Sequence, residues 1–333
     1  MSEIPKSEIT LVRETLPPRP PERRHLISIR DLDRDDVDRL LSTAKSFEAS
    51  LERELKKLPT LRGRTVVTLF YESSTRTSAS FELAAKRLSA DTMSIKAAGS
   101  SVDKGESLKD TALTLAAYDP DVIVIRHPHI GAPQLIARVT EARIVNAGDG
   151  KHQHPTQALL DLYTMRAALG RLDGLHVAIV GDVLHSRVAR SLIQALELVG
   201  ARCTLVGPPT LIPRGVAAES SSDIGTIADA DVVYVLRMQR ERMLEGASYV
   251  PSLREYAERW CVTRERLRPG QVVMHPGPMN RGVEIAPDVA DAADALIQQQ
   301  VRAGLVVRMA VLYDLLAHGP SAVPAQAVLE VAS

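Results

Sequence analysis

Ser74-Thr75-Arg76-Thr77 places three hydroxyls and one guanidinium at four consecutive positions. The run follows an apolar, β-branched stretch, Thr65 to Phe70, which reads as a buried strand. It precedes a helical pattern in which Phe81, Leu83, Ala84 and Leu88 are apolar. Donor side chains therefore gather where a strand hands over to a helix N-terminus, beside unpaired N–H groups and the positive end of the helix dipole. That combination binds anions, and the planar fork of arginine suits phosphate. Ordinary N-capping with a solvated Arg76 is the bland alternative, but a cap uses one hydroxyl and leaves the other donors unexplained.

Similar polar residues stand after five further apolar runs. Val122–Ile125 is closed by Arg126-His127-Pro128, and Ile144–Asn146 leads to Asp149-Gly150-Lys151-His152-Gln153-His154-Pro155-Thr156-Gln157. His176–Val180 leads to Gly181-Asp182 and then His185-Ser186-Arg187. Val232–Leu236 ends in Arg237-Met238-Gln239-Arg240-Glu241-Arg242, and Val272–His275 ends in His275-Pro276-Gly277-Pro278. Arg, His, Gln and hydroxyl groups at six strand ends favour a site for a small, strongly anionic ligand. His154 and Gln157, three residues apart, share one face of a helix starting near Pro155. Arg187 and Arg237 fit either structural salt bridges or the anionic site. His127, His152 and His185 read as structural or solvated.

Those residues need a scaffold, and the chain alternates helices with short apolar strands. Strands are predicted at Val66–Phe70, Thr92–Ile95, Val122–Arg126 and Ile144–Asn146, then at His176–Val180, Arg202–Val206, Val232–Leu236 and Val272–His275. Helices are predicted from an Asp33 N-cap to about Lys57, at Ala79–Leu88, Leu108–Ala117 and Gln134–Val139, and after the fifth strand, where Val188, Leu192, Ala195, Leu196 and Val199 keep a 3.6 period. The pattern predicts an α/β chain of two domains, each with a four-strand parallel sheet flanked by helices. Ligands bind beyond the C-terminal strand ends of such sheets. Residues 1–24, with Pro17, Pro18, Pro20 and Pro21, read as a mobile arm.

Bulk composition narrows the class. With 333 residues, 45% hydrophobic, the chain can build two cores. Lys+Arg and Asp+Glu both number 41, so zero net charge argues against nucleic acid or an anionic membrane as partner. No apolar run approaches the roughly 20 residues a membrane span needs. The N-terminus lacks a signal-like apolar core, and two cysteines make neither a disulfide framework nor a metal cluster, so a cytoplasmic location is expected. After Gly181 the glycines of a dinucleotide fingerprint are replaced by Val183 and Ser186, and there is no Walker lysine motif. No serine has a base arrangement that suggests a covalent nucleophile.

Taken in order, these motifs resemble the aspartate/ornithine carbamoyltransferases, and most of all the catalytic chains of the aspartate-using branch. The resemblance runs from about His25 to about Leu316. Ser74-Thr75-Arg76-Thr77 with Ser80-Phe81-Glu82, Lys104-Gly105-Glu106, Arg126-His127-Pro128, His154-Pro155-Thr156-Gln157, Asp161-Leu162, Ser186-Arg187, Arg237-Met238-Gln239 and His275-Pro276-Gly277-Pro278 carry it. It implies carbamoyl transfer from carbamoyl phosphate to L-aspartate, an early step toward pyrimidines, without metal or organic cofactor. It implies a carbamoyl-phosphate domain over residues 25–155 plus 303–333, with a C-terminal helix from about Ala303 to Leu316 returning to it. An aspartate domain spans residues 156–302.

By the same resemblance, Ser74, Thr75, Arg76 and Thr77 hold the phosphate with Arg126. Thr77, Arg126 and His154 polarise the carbonyl, with His154 a neutral donor, and Arg76, Thr77, Arg126 and His154 form the catalytic set. Gln157 and the backbone of Pro276, Gly277 and Pro278 hold the carbamoyl group. Arg187, Arg237, Gln239 and Lys104 clamp aspartate. Ser100 and Lys104, on the Ala97–Gly105 loop, reach in from a neighbouring subunit of a homotrimer. The segment from Gln239 to Val250 is expected to be a mobile loop, and a larger assembly with a dihydroorotase-like chain is expected to use the Pro-rich arm. Val188 stands where some members have threonine, Gly277 where others have leucine, and Asp103 where a basic residue can occur. Ornithine transfer and a non-catalytic scaffolding role are the alternatives; the double arginine clamp favours a dicarboxylic acceptor.

Overall fold

The computed structural model describes residues 25–52, 54, 56–96, 105–243 and 249–317. The N-terminal arm, Ser100, Lys104 and residues 244–248 of the expected mobile loop lie outside them. Two sheets, parallel throughout, organise the described chain. The first contains β1 (His25–Leu26), β2 (Thr65–Phe70), β3 (Asp91–Lys96), β4 (Val122–His127) and β5 (Arg143–Asp149), in the order β1-β5-β4-β2-β3. The second contains β6 (His176–Gly181), β7 (Arg202–Val206), β8 (Glu219–Ser221), β9 (Val232–Leu236) and β10 (Val272–Met274), in the order β10-β9-β6-β7-β8. The central strands are continuous apolar runs, Val66, Val67 and Leu69 or Val177 to Val180, because helices cover both faces.

Each sheet thus has five strands where periodicity predicts four. The extra strands, β1 and β8, lie at sheet edges and are two and three residues long, too short to carry a period.

Helix boundaries shift for identifiable reasons. Helix α1 (Arg34–Leu51) opens on the predicted cap: Asp33 accepts from the Asp36 N–H, and Asp36 accepts from the Asp33 N–H. It stops at Leu51, short of the predicted Lys57, because Glu52, Glu54, Lys56 and Lys57 offer no face to bury before Pro59. Helix α2 (Thr75–Arg87) starts four residues before the predicted Ala79. Its apolar stripe begins only near Phe81, but its first turn faces a cleft and needs no apolar side chains. Arg76 and Thr77 are therefore first-turn residues, with Ser74 as N-cap.

Helices α3 (Leu108–Ala116), α4 (Ala132–Val139), α5 (Pro155–Leu169), α6 (Arg187–Leu198), α7 (Leu253–Trp260) and α8 (Pro287–Ala290) follow in order. The last helix, α9 (Ile297–Leu316), begins six residues ahead of Ala303, since buried Gln300 interrupts the apolar pattern in its first turns. It packs against α1 and α2 of the first sheet's layer and against α5, which returns the helix to the first half. One core cluster, from Leu26 through Phe81, Leu162 and Leu196 to Leu316, runs through both halves. No helix among the described residues is long and apolar enough to cross a membrane.

Candidate active site

In the first sheet β2 lies between β3 and β4; in the second, β6 lies between β7 and β9. Chain direction reverses laterally at these places, leaving a crevice beyond the strand ends. Both crevices open onto one cleft of about 1420 Å³. Ser74, Thr75, Arg76, Thr77, Arg126, His154 and Gln157 line it from the first half, and Arg187, Arg237, Gln239, Pro276, Gly277 and Pro278 complete the wall. The fold therefore brings together every nominated residue except Ser100 and Lys104.

The electrostatic centre is a residue to which the sequence reading assigns no role. Glu72 follows β2 and faces three arginines. Its Oε2 lies 2.6 Å from Arg187 Nη2 and 3.2 Å from Arg126 Nε, and its Oε1 is 3.8 Å from Arg242 Nη2. Arg126 and Glu72 belong to the first half, while Arg187 and Arg242 follow β6 and β9 of the second. One carboxylate against three guanidiniums leaves a local excess of positive charge in a poorly hydrated place. Burial, and then repulsion from Arg187, lower the Arg126 pKa to about 9; the same two causes lower that of Arg242 to about 10. Both groups stay charged at neutral pH, and an incoming anion relieves both penalties. The warning available in the sequence was an acidic residue two positions before an anion-binding run.

Local backbone irregularity aims these side chains. The register between β4 and β5 slips by one residue, from Ile125↔Asn146 to His127↔Asp149. The extra residue on β5 makes a bulge beside Arg126, a common device for re-aiming a strand at a site. The Asn146 side chain braces it, accepting from the Gly148 N–H and donating to Asp149. Gly148 sits at φ +120°, and a Cβ there would stand 2.8 Å from Arg187 Nε. Arg187 cannot easily yield, because Glu72 and the Gly150 carbonyl already hold its guanidinium. Gly148→Ala is therefore expected to displace Arg187, lowering stability by about 1–3 kcal/mol and catalytic efficiency about 100-fold. A thermal melt and steady-state kinetics on the variant check this.

Arg76 is exposed to the cleft, and partial desolvation lowers its pKa. Its guanidinium lies against Gly277, where a Cβ would come within 2.9 Å of it. A glycine at position 277 thus leaves room for the Arg76 guanidinium. His275 shapes the same turn: its Nδ1 accepts from the Gly277 N–H at 2.8 Å, and its Nε2 faces Glu284 at 3.3 Å.

His154 is fully buried at the start of α5, with no hydrogen-bond partner for Nδ1. Burial first, then the charges of Arg126, Arg187, Arg308 and Arg242, hold its pKa well below the usual imidazole range. It is neutral at pH 7, so one ring nitrogen carries a proton to donate and the other does not. His127, His152 and His185 have structural partners: the His129 N–H, Asp149 and Asp182 respectively.

Arg308 is a second missed residue. It projects from α9 with its Nη1 2.7 Å from Ser80 Oγ, its guanidinium carbon 5.1 Å from the Phe81 ring centroid, and its Nε without a partner. Burial lowers its pKa to about 10. Its position in a C-terminal helix buried on most sides hid it from motif reasoning.

On the opposite wall, Arg237 grips Glu241 through both terminal nitrogens, and the Gln239 N–H donates to Asp182 at 2.9 Å. Asp182 also accepts from the backbone and ring of His185. Arg242 donates to the Gln239 side-chain oxygen, which joins this wall to the Glu72 cluster.

Residues 24–167 match the family model of the aspartate/ornithine carbamoyltransferase carbamoyl-P binding domain, and residues 173–315 match that of the Asp/Orn binding domain. The chain belongs to the aspartate/ornithine carbamoyltransferase family. Among relatives in this family, the aspartate carbamoyltransferase catalytic subunit of Pelotomaculum thermopropionicum is 55% identical over 303 residues, covering 89% of this chain and 97% of that one. The corresponding subunit of Salinispora arenicola is 57% identical over 303 residues, with 88% and 98% covered. Aspartate transcarbamoylase from Trypanosoma cruzi, solved with carbamoyl phosphate and aspartate, superposes with a TM-score of 0.82 at 32% identity, covering 90% of this chain and 99% of that one. The catalytic subunit from M. jannaschii gives a TM-score of 0.79 at 36% identity, with 90% and 100% covered. One wall of the cleft carries the helix start at Ser74–Thr77 with Arg126, and the facing wall carries Arg187, Arg237 and Gln239.

Proposed function

We propose that this protein transfers the carbamoyl group of carbamoyl phosphate to the amino group of L-aspartate, giving N-carbamoyl-L-aspartate and phosphate, an early step of pyrimidine synthesis. The carrying observation is the convergence of the α2 N-terminus with buried arginines from both sheets on one cleft. Phosphate oxygens meet the side chains of Ser74, Thr75 and Thr77, the free N–H groups of the first turn, and Arg76 and Arg126. The amine attacks the carbamoyl carbon, and the developing oxyanion is met by Thr77, Arg126 and neutral His154. The carbon–oxygen bond to phosphate then breaks, and the departing phosphate takes the amine proton. The NH2 group rests on Gln157 and the Pro276 carbonyl, with Gly277 and Pro278 completing that wall.

Arg187, Arg237 and Gln239 take the two aspartate carboxylates. The forked Glu241–Arg237 pair supports this reading, since a substrate carboxylate would meet the same fork. Lys104 and Ser100 come from a neighbouring subunit of a homotrimer, and the enzyme works in the cytoplasm. Positioning and electrostatics supply the rate, so neither metal nor organic cofactor is required. The Pro-rich arm docks a dihydroorotase-like chain; absence of any larger species on co-expression and sizing would sink that part.

Arg237→Ala is expected to raise the aspartate KM about 30-fold, or ~2 kcal/mol, and to leave the carbamoyl phosphate KM within about threefold. A normal aspartate KM would mean that the acceptor clamp lies elsewhere. The test of the whole reading is carbamoyl transfer by the purified chain with carbamoyl phosphate and either L-aspartate or L-ornithine. Product with aspartate alone is expected. Product with ornithine alone would keep the phosphate wall and overturn the acceptor wall.

A further inference from the structure

Asp161 lies on α5, one helical turn after Gln157, fully buried and outside the cleft lining. Three side chains converge on it. Gln157 Nε2 donates to Oδ1 at 3.0 Å, Gln300 Nε2 donates to the same oxygen at 2.8 Å, and the Tyr234 hydroxyl donates to Oδ2 at 2.7 Å. Gln300 is fixed from its other end as well, because its Oε1 accepts from the His275 N–H at 2.9 Å. A backbone N–H can only donate, so the Gln300 amide has one orientation, with its NH2 on Asp161. A carboxylate can only accept, so the Gln157 amide also has one orientation, with its NH2 on Asp161 and its oxygen directed away from it.

The consequence concerns ligand choice. A glutamine amide free to turn over presents either an acceptor or a donor to a ligand. Held by Asp161, Gln157 presents an acceptor. Through Gln300 and His275, the same carboxylate also ties down the backbone that carries the next residue, Pro276, whose carbonyl is the other acceptor on that wall. We propose that Asp161 is a positioning residue that locks the Gln157 amide and the Pro276 backbone as paired acceptors, so that the site selects an acyl phosphate bearing N–H groups over one bearing a methyl. This rests on the carbamoyl phosphate reading of the cleft. Burial raises the Asp161 pKa to about 7; with a proton on Oδ2, the Tyr234 hydroxyl turns to accept it and Oδ1 still accepts from both glutamines, so that protonation keeps the orientation.

Acetyl phosphate is the discriminating probe, because it replaces the carbamoyl NH2 with a methyl group of similar size. Binding of carbamoyl phosphate, acetyl phosphate and inorganic phosphate would be measured by calorimetry on the full chain, wild type against Asp161→Ala. Wild type is expected to prefer carbamoyl to acetyl phosphate. The variant is expected to lose 10- to 100-fold in carbamoyl phosphate affinity while the other two change less than about threefold. Equal weakening of all three ligands would mean a general packing role and overturn the inference, as would an unchanged preference. If wild type has no preference to lose, both the carbamoyl reading and this inference fall. Should Asp161→Ala not fold, Asp161→Leu with Tyr234→Phe fills the volume and removes one stranded hydroxyl, and the same three ligands decide.

Discussion

Arg126→Ala is expected to lower kcat/KM for carbamoyl phosphate by about 10³-fold, the largest single-residue loss at this site. Its side chain is only 15% exposed, at the end of β4 beside the bulge, so water cannot easily take its place. Its buried Nε pairs with Glu72 at 3.2 Å, and the residue lines the cleft. Glu72 thereby fixes the guanidinium in the cleft wall. In the proposed reaction Arg126 serves twice, neutralising phosphate and meeting the developing oxyanion, and one preorganised donor alone is worth about 10²–10³ in rate. Lysine should not rescue the loss, because a point charge lacks the fork. Steady-state kinetics with a parallel thermal melt check the result. A loss below tenfold with an intact fold would remove Arg126 from the catalytic set.

Glu72→Gln is expected to have the second-largest effect, first on stability. The amide keeps the shape but leaves Arg126, Arg187 and Arg242 facing one another without a carboxylate. Removing one partner of a buried ion pair costs about 3–5 kcal/mol; Glu72 is 24% exposed, so about 2–3 kcal/mol is expected here. The same argument makes the defect reversible by ligand. Inorganic phosphate supplies the missing negative charge, so it should raise the melting temperature of the variant more than that of the wild type. Melts with and without phosphate test this. Equal phosphate shifts in both proteins would mean that Glu72 does not hold the three arginines together.

Glu72 also marks where reasoning from sequence stops. Strand–helix alternation was legible because buried parallel strands must be continuous apolar runs, and Val66–Phe70 or Val232–Leu236 can be little else. The phosphate cradle was legible because hydroxyls and arginine cluster at a strand-to-helix junction whose function is local: one helix start and its own side chains. Edge strands β1 and β8 were not legible, since two or three residues carry no period and are held by their neighbours.

For the site, local chemistry determined which residues are candidates: Ser74, Thr75, Arg76, Thr77, Arg126, His154, Gln157, Arg187 and Arg237 stand at strand ends and helix starts in the sequence itself. Only the tertiary structure decided how they are charged and aimed. Glu72 meets Arg187 across 115 positions, Arg308 meets Ser80 across 228, and Asp161 meets Gln300 across 139. These partners fix the arginines whose charges, with burial, keep His154 neutral, and they set the orientation of Gln157. Electrostatic energy depends on separation in space and on the water excluded there, and neither quantity is a function of position along the chain.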